Sequence, residues 1–359
     1  VSVLDRYLLR SFFTAVSGAL GAFLAVTVVV DVFERLDTFL DHHVHLLMVL
    51  QYYGATLPFL VSVILPVATL IGVLFSLGGM ARRNELVAMT AAGVSLYRVL
   101  APLLLAGAAL AAVGLAFSTE LAPRGTRLAN EVWDHEIKER PRLRGDVRHD
   151  LNYLGSEGRI FLIRRYDGAK GRMEDVVVQQ FARGTLVHRI DAKTAVWQRD
   201  HWVFHDGYLR RFREDGPPQV EPFTERVFDD IRETPQDLLE VVGEPDEMTL
   251  GELRDHARRT ASSGGDVTRF AVDEHARWSF PCASFVVILL GAPLAGAIRR
   301  GGHALGFGLA LLLGFAYYIL LRISQTYGLN GSLPAWAAAW LPNAAFVAAG
   351  VVGFWKTRK

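Results

Sequence analysis

Between Leu46 and Met80 the chain reads LLMVLQYYGATLPFLVSVILPVATLIGVLFSLGGM, thirty-five residues without one acidic or basic side chain. A helix crossing the hydrocarbon of a bilayer needs about 20 apolar residues, because each adds roughly 1.5 Å toward a thickness of about 30 Å. The run is too long for one straight span. Its membrane part is expected at about Ala55 to Met80, led in by an interfacial helix and kinked at Pro58 and Pro66. Working outward, five more uncharged runs pass the same test: Phe12 to Val30, Val99 to Thr119, Trp278 to Ile298, Gly301 to Leu321 and Leu333 to Trp355. The expected fold is a membrane α-helical protein with three spans on each side of a polar insert.

Charge distribution supports that division. The 359-residue chain is 51% hydrophobic, yet 57 of its 75 charged residues fall between Glu120 and Arg277. A soluble surface as poor in charge as the remaining 201 positions is not sustainable, so the ends face lipid and the middle faces water. Disorder is excluded by the apolar content, and a disulfide scaffold by the single cysteine, Cys282. A net charge of +1 leaves no footprint for nucleic acid. Arg6 and Arg10 before an apolar stretch resemble a signal peptide. That stretch is too long for a signal core, and Asp31-Val32-Phe33-Glu34 follows without a small-residue cleavage site, so a retained span is expected.

Basic residues beside the spans set the orientation. With a cytoplasmic N-terminus, the inner flanks hold Arg6, Arg10, Arg82, Arg83, Arg98, Arg299, Arg300, Lys356, Arg358 and Lys359, and the short outer segments hold only Arg35 and Arg322. Both termini are therefore expected inside and the insert outside. The organisation that follows is residues 1–119 as spans one to three, with a cytoplasmic helix at about 84–93, residues 120–277 as the extracytoplasmic domain, and residues 278–359 as spans four to six.

Within the insert, Arg159–Arg164, Asp175–Phe181, Ala195–Gln198 and Trp202–His205 are short and rich in β-branched and aromatic residues. Turn signals at Tyr166-Asp167-Gly168, Arg183-Gly184, Arg199-Asp200-His201 and Gly216-Pro217-Pro218 separate them. Short strands at intervals of about 10 residues predict an antiparallel sandwich or jelly roll. Helical connectors are expected at Leu121–Lys138 and Thr249–Arg277, the second opening with a capping-box pattern, Thr249 to Glu252. His201 and His205 are read as solvated strand residues rather than ligands, and no metal or cofactor is expected. A sheet with an open edge also offers backbone for strand addition by a partner.

No G-x-x-x-x-G-K-[ST] loop occurs, so nucleotide is not bound by that route. The uncharged runs hold no Asp, Glu, Lys or Arg, the groups on which a proton or ion relay through the bilayer depends, and no nucleophile–base pair lies at membrane depth. No catalytic residue is assigned. Work done by such a chain is driven from elsewhere.

The loop joining spans two and three reads Arg82-Arg83-Asn84-Glu85-Leu86-Val87-Ala88-Met89-Thr90-Ala91-Ala92-Gly93-Val94-Ser95. Asn84 as N-cap and Gly93 as C′ stop predict two helical turns, with Glu85 at the positive end of the helix dipole and Ser95 capping the next span. A short helix with Leu86 and Met89 on one face is suited to a groove on a cytoplasmic partner. The same pattern also fits an interfacial helix anchored by Arg82 and Arg83.

Val3-Leu4-Asp5-Arg6-Tyr7 at the start, Arg83–Met89 with Ala92-Gly93-Val94-Ser95 in the loop, and three-plus-three spans around a β-rich insert resemble the LptF/LptG family of lipopolysaccharide export permeases, with the opening motif closer to the LptG side. The resemblance covers essentially the whole chain. It implies an inner-membrane ABC exporter in which two paralogous permeases form a heterodimer over an LptB-type ATPase pair. It also implies a single-span LptC-type protein and an LptA-type periplasmic bridge that receives lipopolysaccharide from the jelly-roll insert. Coupling to the ATPase would then involve Glu85, Arg83, Leu86, Met89 and Gly93. Since the first and fifth spans line the family's lipid cavity, the implied substrate residues are Phe23, Val26 and Val30 with Phe307, Leu311, Phe315 and Tyr318. Arg35 and Arg322 stand at the outer ends of those spans, toward glycolipid phosphates. The stripe on the fifth span also fits lipid-facing packing, and the two arginines also fit snorkelling. One departure is the acidic outer end of the first span, where Asp31, Glu34, Asp37 and Asp41 surround Arg35. A membrane-anchored periplasmic scaffold, or a permease of this architecture for another envelope lipid, are the alternative readings.

Overall fold

The computed structural model describes residues 3–137, 147–155, 158–168, 170–182, 185–212, 216–239, 245–262, 266–297 and 302–357. The turn expected at Arg183-Gly184 and the flanking residues Arg299, Arg300, Arg358 and Lys359 lie outside these. Two compact units result, one formed by residues 1–138, 245–250 and 268–359, the other by residues 139–244 and 251–267.

The first unit is helical. Its elements are α1 (Val3–Glu34), α2 (Leu36–Asp41), α3 (Leu46–Arg82), α4 (Glu85–Ala91), α5 (Leu96–Ala116), α6 (Ala122–Glu131), α9 (Thr268–Ala297), α10 (Gly302–Leu329) and α11 (Ala335–Thr357). Six of its helices are long and apolar enough to cross a membrane. In place of an interfacial helix followed by a span, α3 is one continuous helix that carries Pro58 and Pro66 inside it. At about 1.5 Å per residue its 37 residues exceed the hydrocarbon thickness and project beyond it. The third span also overruns: α5 passes through a π-helical stretch, Phe117–Leu121, into α6 and a second such stretch, Val132–Ile137. Pro123 stands in the first turn of α6, directly after the first of these stretches, where a missing N–H is tolerated.

The largest buried cluster of the bundle joins Leu8, Phe12 and Val16 of α1 to Leu77 and Met80 of α3, Val99 and Leu103 of α5, and Ile288 of α9. The contact of α1 with α3 is close enough that a Cβ on Gly72 would collide with Val16 and lie 3.2 Å from Phe12. Within the apolar core sits one polar staple. The Tyr317 hydroxyl donates to Asn343 Oδ1 at 3.1 Å, and Asn343 Nδ2 donates to the Ser279 carbonyl at 2.7 Å, which links α10, α11 and α9.

The second unit contains a six-stranded antiparallel sheet of β1 (Val147–Leu154), β2 (Arg159–Asp167), β3 (Arg172–Ala182), β4 (Thr185–Gln198), β5 (His201–Arg211) and β6 (Gln219–Val227), with α7 (Pro235–Leu239) and α8 (Leu250–Ser262) after it. The all-β insert is as expected, but its connectivity corrects the jelly-roll expectation. The spatial order is β1 to β6 in sequence, a meander of hairpins without a Greek-key crossover among the described strands. Tight turns dictate this; Arg199 (φ 49°) and Asp200 (φ 66°) form the two-residue left-handed turn that returns β4 directly onto β5.

One row of the sheet interrupts the ladder. Asp150, Arg164, Asp175, Lys193, Asp206 and Thr224 stand opposite one another across all six strands, between paired rows on either side. On alternate strands the residue in that row is an aspartate in the left-handed region, with φ of 53° at Asp150, 49° at Asp175 and 52° at Asp206. Aspartate is one of the few residues besides glycine that tolerates this conformation. The inward-facing set changes phase at the row. Phe161 and Ile163 give way to Tyr166, Val178 and Val176 to Met173, Ile190 and Ala192 to Ala195, and Leu209 to Phe204. The sheet is thus creased along a line of exposed residues, alternately charged from Asp150 to Asp206, while its apolar face stays continuous. The segment after β6 covers that face: Trp202 Nε1 donates to the Glu233 carbonyl at 2.6 Å and the Tyr166 hydroxyl to the Pro235 carbonyl at 2.9 Å.

Candidate functional site

The loop joining α3 and α5 forms the helix expected of it, with one correction at its start. Asn84 lies in the left-handed region (φ 58°, ψ 14°) and its side chain makes no capping bond. Extended backbone is what lets a cap residue reach back to the first turn; the left-handed geometry aims the side chain elsewhere. The end is as expected. Gly93 has φ 86°, its N–H bonds the Thr90 carbonyl at 3.0 Å, and the Val94 N–H bonds the Met89 carbonyl at 2.9 Å, the paired bonds of a Schellman stop. Ser95 Oγ accepts from the Arg98 N–H at 3.3 Å and starts α5.

Leu86, Met89 and Val94 face inward against the bundle core. The exposed side of α4 is Val87, Ala88, Thr90 and Ala91. The carboxylate of Glu85 accepts from Arg83 Nε at 2.5 Å, which raises the Arg83 pKa further, and from the Tyr7 hydroxyl at 3.3 Å. Arg83 Nη2 donates in turn to the Tyr7 hydroxyl at 2.9 Å. Arg98 Nη2 reaches Asp5 at 3.1 Å. Asp5, Tyr7 and Arg98 were not singled out from the sequence as site residues; the signal for Asp5 is an acid in the first turn of α1, ahead of its long apolar stretch.

Midway across the bundle an apolar cavity of about 220 Å³ opens between α1, α3, α9 and α10. Phe23, Leu311, Phe315 and Tyr318 line it, with Val67 and Phe280. Phe307 stacks on Phe23 with ring centroids 6.3 Å apart and planes 17° apart. Five of the seven apolar residues singled out on these two spans are therefore brought together. Val26 and Val30 are not; they lie exposed on α1, outside the cavity.

Arg35 and Arg322 are each engaged by their own chain. Arg35 Nε bonds Asp31 at 2.9 Å, and its guanidinium lies 4.2 Å from the Trp133 ring centroid and 5.4 Å from that of Tyr52. Tyr53 donates to the same Asp31 oxygen at 2.7 Å. Partial burial works against the Arg35 charge, but the bond to Asp31 together with the fields of Tyr52, Asp31 and Tyr53 holds its pKa above the ordinary value. Arg322 Nε donates to the Tyr318 hydroxyl at 2.9 Å and its guanidinium lies over that ring at 5.1 Å. Among the described residues no group of three metal-ligating side chains occurs.

Residues 6–356 match the family model described as lipopolysaccharide export system permease LptF/LptG. Curated relatives include the lipopolysaccharide export system permease protein LptG of Escherichia coli strain K12, 23% identical over 350 residues that cover 96% of this chain and 95% of that protein. The protein of the same name from Haemophilus influenzae is 21% identical over 357 residues, covering 97% and 96%.

Proposed function

This chain belongs to the LptF/LptG family of lipopolysaccharide export permeases, and from that premise we propose that it is an LptG-like subunit of an ABC exporter that lifts lipopolysaccharide out of the inner membrane. In this reading it pairs with a paralogous permease over an LptB-type ATPase dimer. It hands its cargo through the β unit to an LptC-type protein and an LptA-type bridge. Both termini lie in the cytoplasm and the sheet in the periplasm, in keeping with the ten-to-two excess of basic residues on the inner flanks.

The observation that carries the reading is the apolar cavity walled by Phe23 on one side and Leu311, Phe315 and Tyr318 on the other, in a bundle that also carries a short helix with a Schellman stop on a loop. The cavity takes part of an acyl chain, and burial of each methylene is worth about 0.8 kcal/mol. Closing it by moving α1 toward α10 removes that gain and expels the chain. Glu85 presents a carboxylate at the start of α4 for a basic residue of the ATPase, and Val87, Ala88 and Ala91 form the surface that enters its groove. Leu86, Met89 and Gly93 support that surface from behind. Arg322 serves glycolipid phosphates from the outer end of α10, whereas Arg35 organises the outer ends of α1 and α3 through Asp31 and Trp133. Val26 and Val30 face the acyl region of the bilayer or the second permease.

The test is purification of the full chain in mild detergent with whatever it binds. Co-purification of an ATPase whose hydrolysis falls with Glu85→Ala, together with a phosphorylated glycolipid identified by mass spectrometry, is the expected result. A chain that recruits no ATPase is a scaffold instead, and a different co-purified amphiphile reassigns the cargo.

A further inference from the structure

The opening motif and the cytoplasmic loop, 78 residues apart at Tyr7 and Glu85, touch. The first turns of α1 are fastened at two points. At one, the Tyr7 hydroxyl lies between Glu85 and Arg83, at the entry to α4. At the other, the Asp5 carboxylate, with its side chain only 11% exposed, pairs with Arg98 at the entry to α5. One point alone would let the loop swivel; two on either side of α4 fix its direction. Exposed ion pairs are individually weak, but one whose carboxylate is mostly buried costs more to break. Beyond the clasp, Leu8, Phe12 and Val16 are buried in the bundle, and α1 continues unbroken to Phe23 at the cavity wall.

We propose that Asp5 and Tyr7 are positioning residues that tie α1 to the cytoplasmic loop, so that displacement of α4 is delivered to the Phe23 wall of the cavity instead of being absorbed by rotation of α4. This rests on the exporter reading above and adds the route by which force reaches the cavity. The tie changes no affinity of its own for the ATPase; it decides whether hydrolysis produces movement.

The test uses the full complex, with the chain as it stands and as Asp5→Asn/Tyr7→Phe, reconstituted in vesicles containing lipopolysaccharide. The double variant is expected to recruit and stimulate the ATPase as the parent does while cargo released per ATP falls about tenfold, within the range typical of coupling between sites. Nitroxide labels at Arg10→Cys and Ala92→Cys, in a Cys282→Ala background, should keep one separation with and without trapped nucleotide in the parent and two in the double variant. Exchanging the pair as Asp5→Arg/Arg98→Asp should recover release that Asp5→Arg alone loses. Release within twofold of the parent, or a single label separation in the double variant, or no recovery on exchange, overturns the tie while leaving the exporter reading in place. Loss of recruitment together with release overturns it too, by making Asp5 and Tyr7 docking residues. A parent chain that recruits no ATPase removes the exporter reading and the tie with it.

Discussion

Removing the side-chain amide of Asn343 should cost more than removing its partner hydroxyl, and the two losses should not add. Tyr317→Phe deletes one hydrogen bond; in membrane bundles such bonds average about 0.6 kcal/mol and reach roughly 1.7. Asn343→Ala deletes two bonds and leaves the Tyr317 hydroxyl, on a residue only 5% exposed, without its acceptor. An unsatisfied buried donor costs about 1–3 kcal/mol, so the expected loss is roughly 2–3 kcal/mol. In the double variant the orphaned hydroxyl is gone and that penalty disappears. The sum of the singles should therefore exceed the double by about 1 kcal/mol, above the roughly 0.3–0.5 kcal/mol scatter of independent sites. Unfolding in mixed micelles by a denaturing detergent, followed by tryptophan fluorescence, measures all four corners of the cycle. Additive losses would refute the staple as a coupled unit. Because Tyr317 also lines the apolar cavity, the same variants should loosen its α10 wall.

Three further outcomes are expected. Asp175→Gly at the crease should hold or raise the thermal midpoint, because glycine takes φ 49° without strain and the exposed ion pair to Arg164 contributes little; Asp175→Val should lower stability by about 1–2 kcal/mol. Val87→Asp on the exposed side of α4 should reduce ATPase recruitment at least about tenfold by placing a charge in an apolar groove, with the unfolding midpoint of the chain unchanged. His256 has its pKa lowered by burial and then by Arg259. The unfolded chain therefore binds more protons between the two pKa values, and stability rises with pH through that window and flattens above the ordinary histidine value of about 6.5. A pH series of unfolding midpoints should lose that acid-side slope in His256→Gln.

The spans were legible because lipid imposes one arithmetic on every crossing helix. The sheet was legible only in halves, for an identifiable reason. The strand segments apparent from alternation, such as Arg159–Arg164 and Asp175–Phe181, break off at the crease, where Arg164 and Asp175 stand opposite each other. Beyond that row the inward set shifts by one residue, so a strict period of two runs out although the strand continues. The edge strands β1 and β6 received no bounds of their own within the strand-like stretch from Leu151 to Phe228; β6 carries Pro222 and is exposed along most of its length. For the site, the Schellman stop at Gly93 was written in the sequence, but the clasp of Tyr7 on Glu85 was not. No local pattern relates positions 78 apart, and only the packing of α1 on α3 brings them together.

Arg35 and Arg322 make the opposite case. Both have a partner four residues earlier, Asp31 for Arg35 and Tyr318 for Arg322, which is neighbour spacing on a helix and visible in the chain itself. What spacing does not reveal is that Trp133 and Tyr52 converge on Arg35 and make the outer end of α1 a fixed point. That has a mechanical consequence. A stiff helix held near Arg35 and pulled near Tyr7 pivots, and because rise per residue is constant, Phe23 moves about two-fifths as far as Tyr7 does. A helix clasped at its inner end and pinned at its outer end therefore converts a large excursion of the loop into a small closure of the cavity. Releasing the pin with Asp31→Asn should let the outer end slide and cut that closure. It should do so without altering the Tyr7–Glu85 contact, and a label at position 23 that moved as far as before would disprove the pivot.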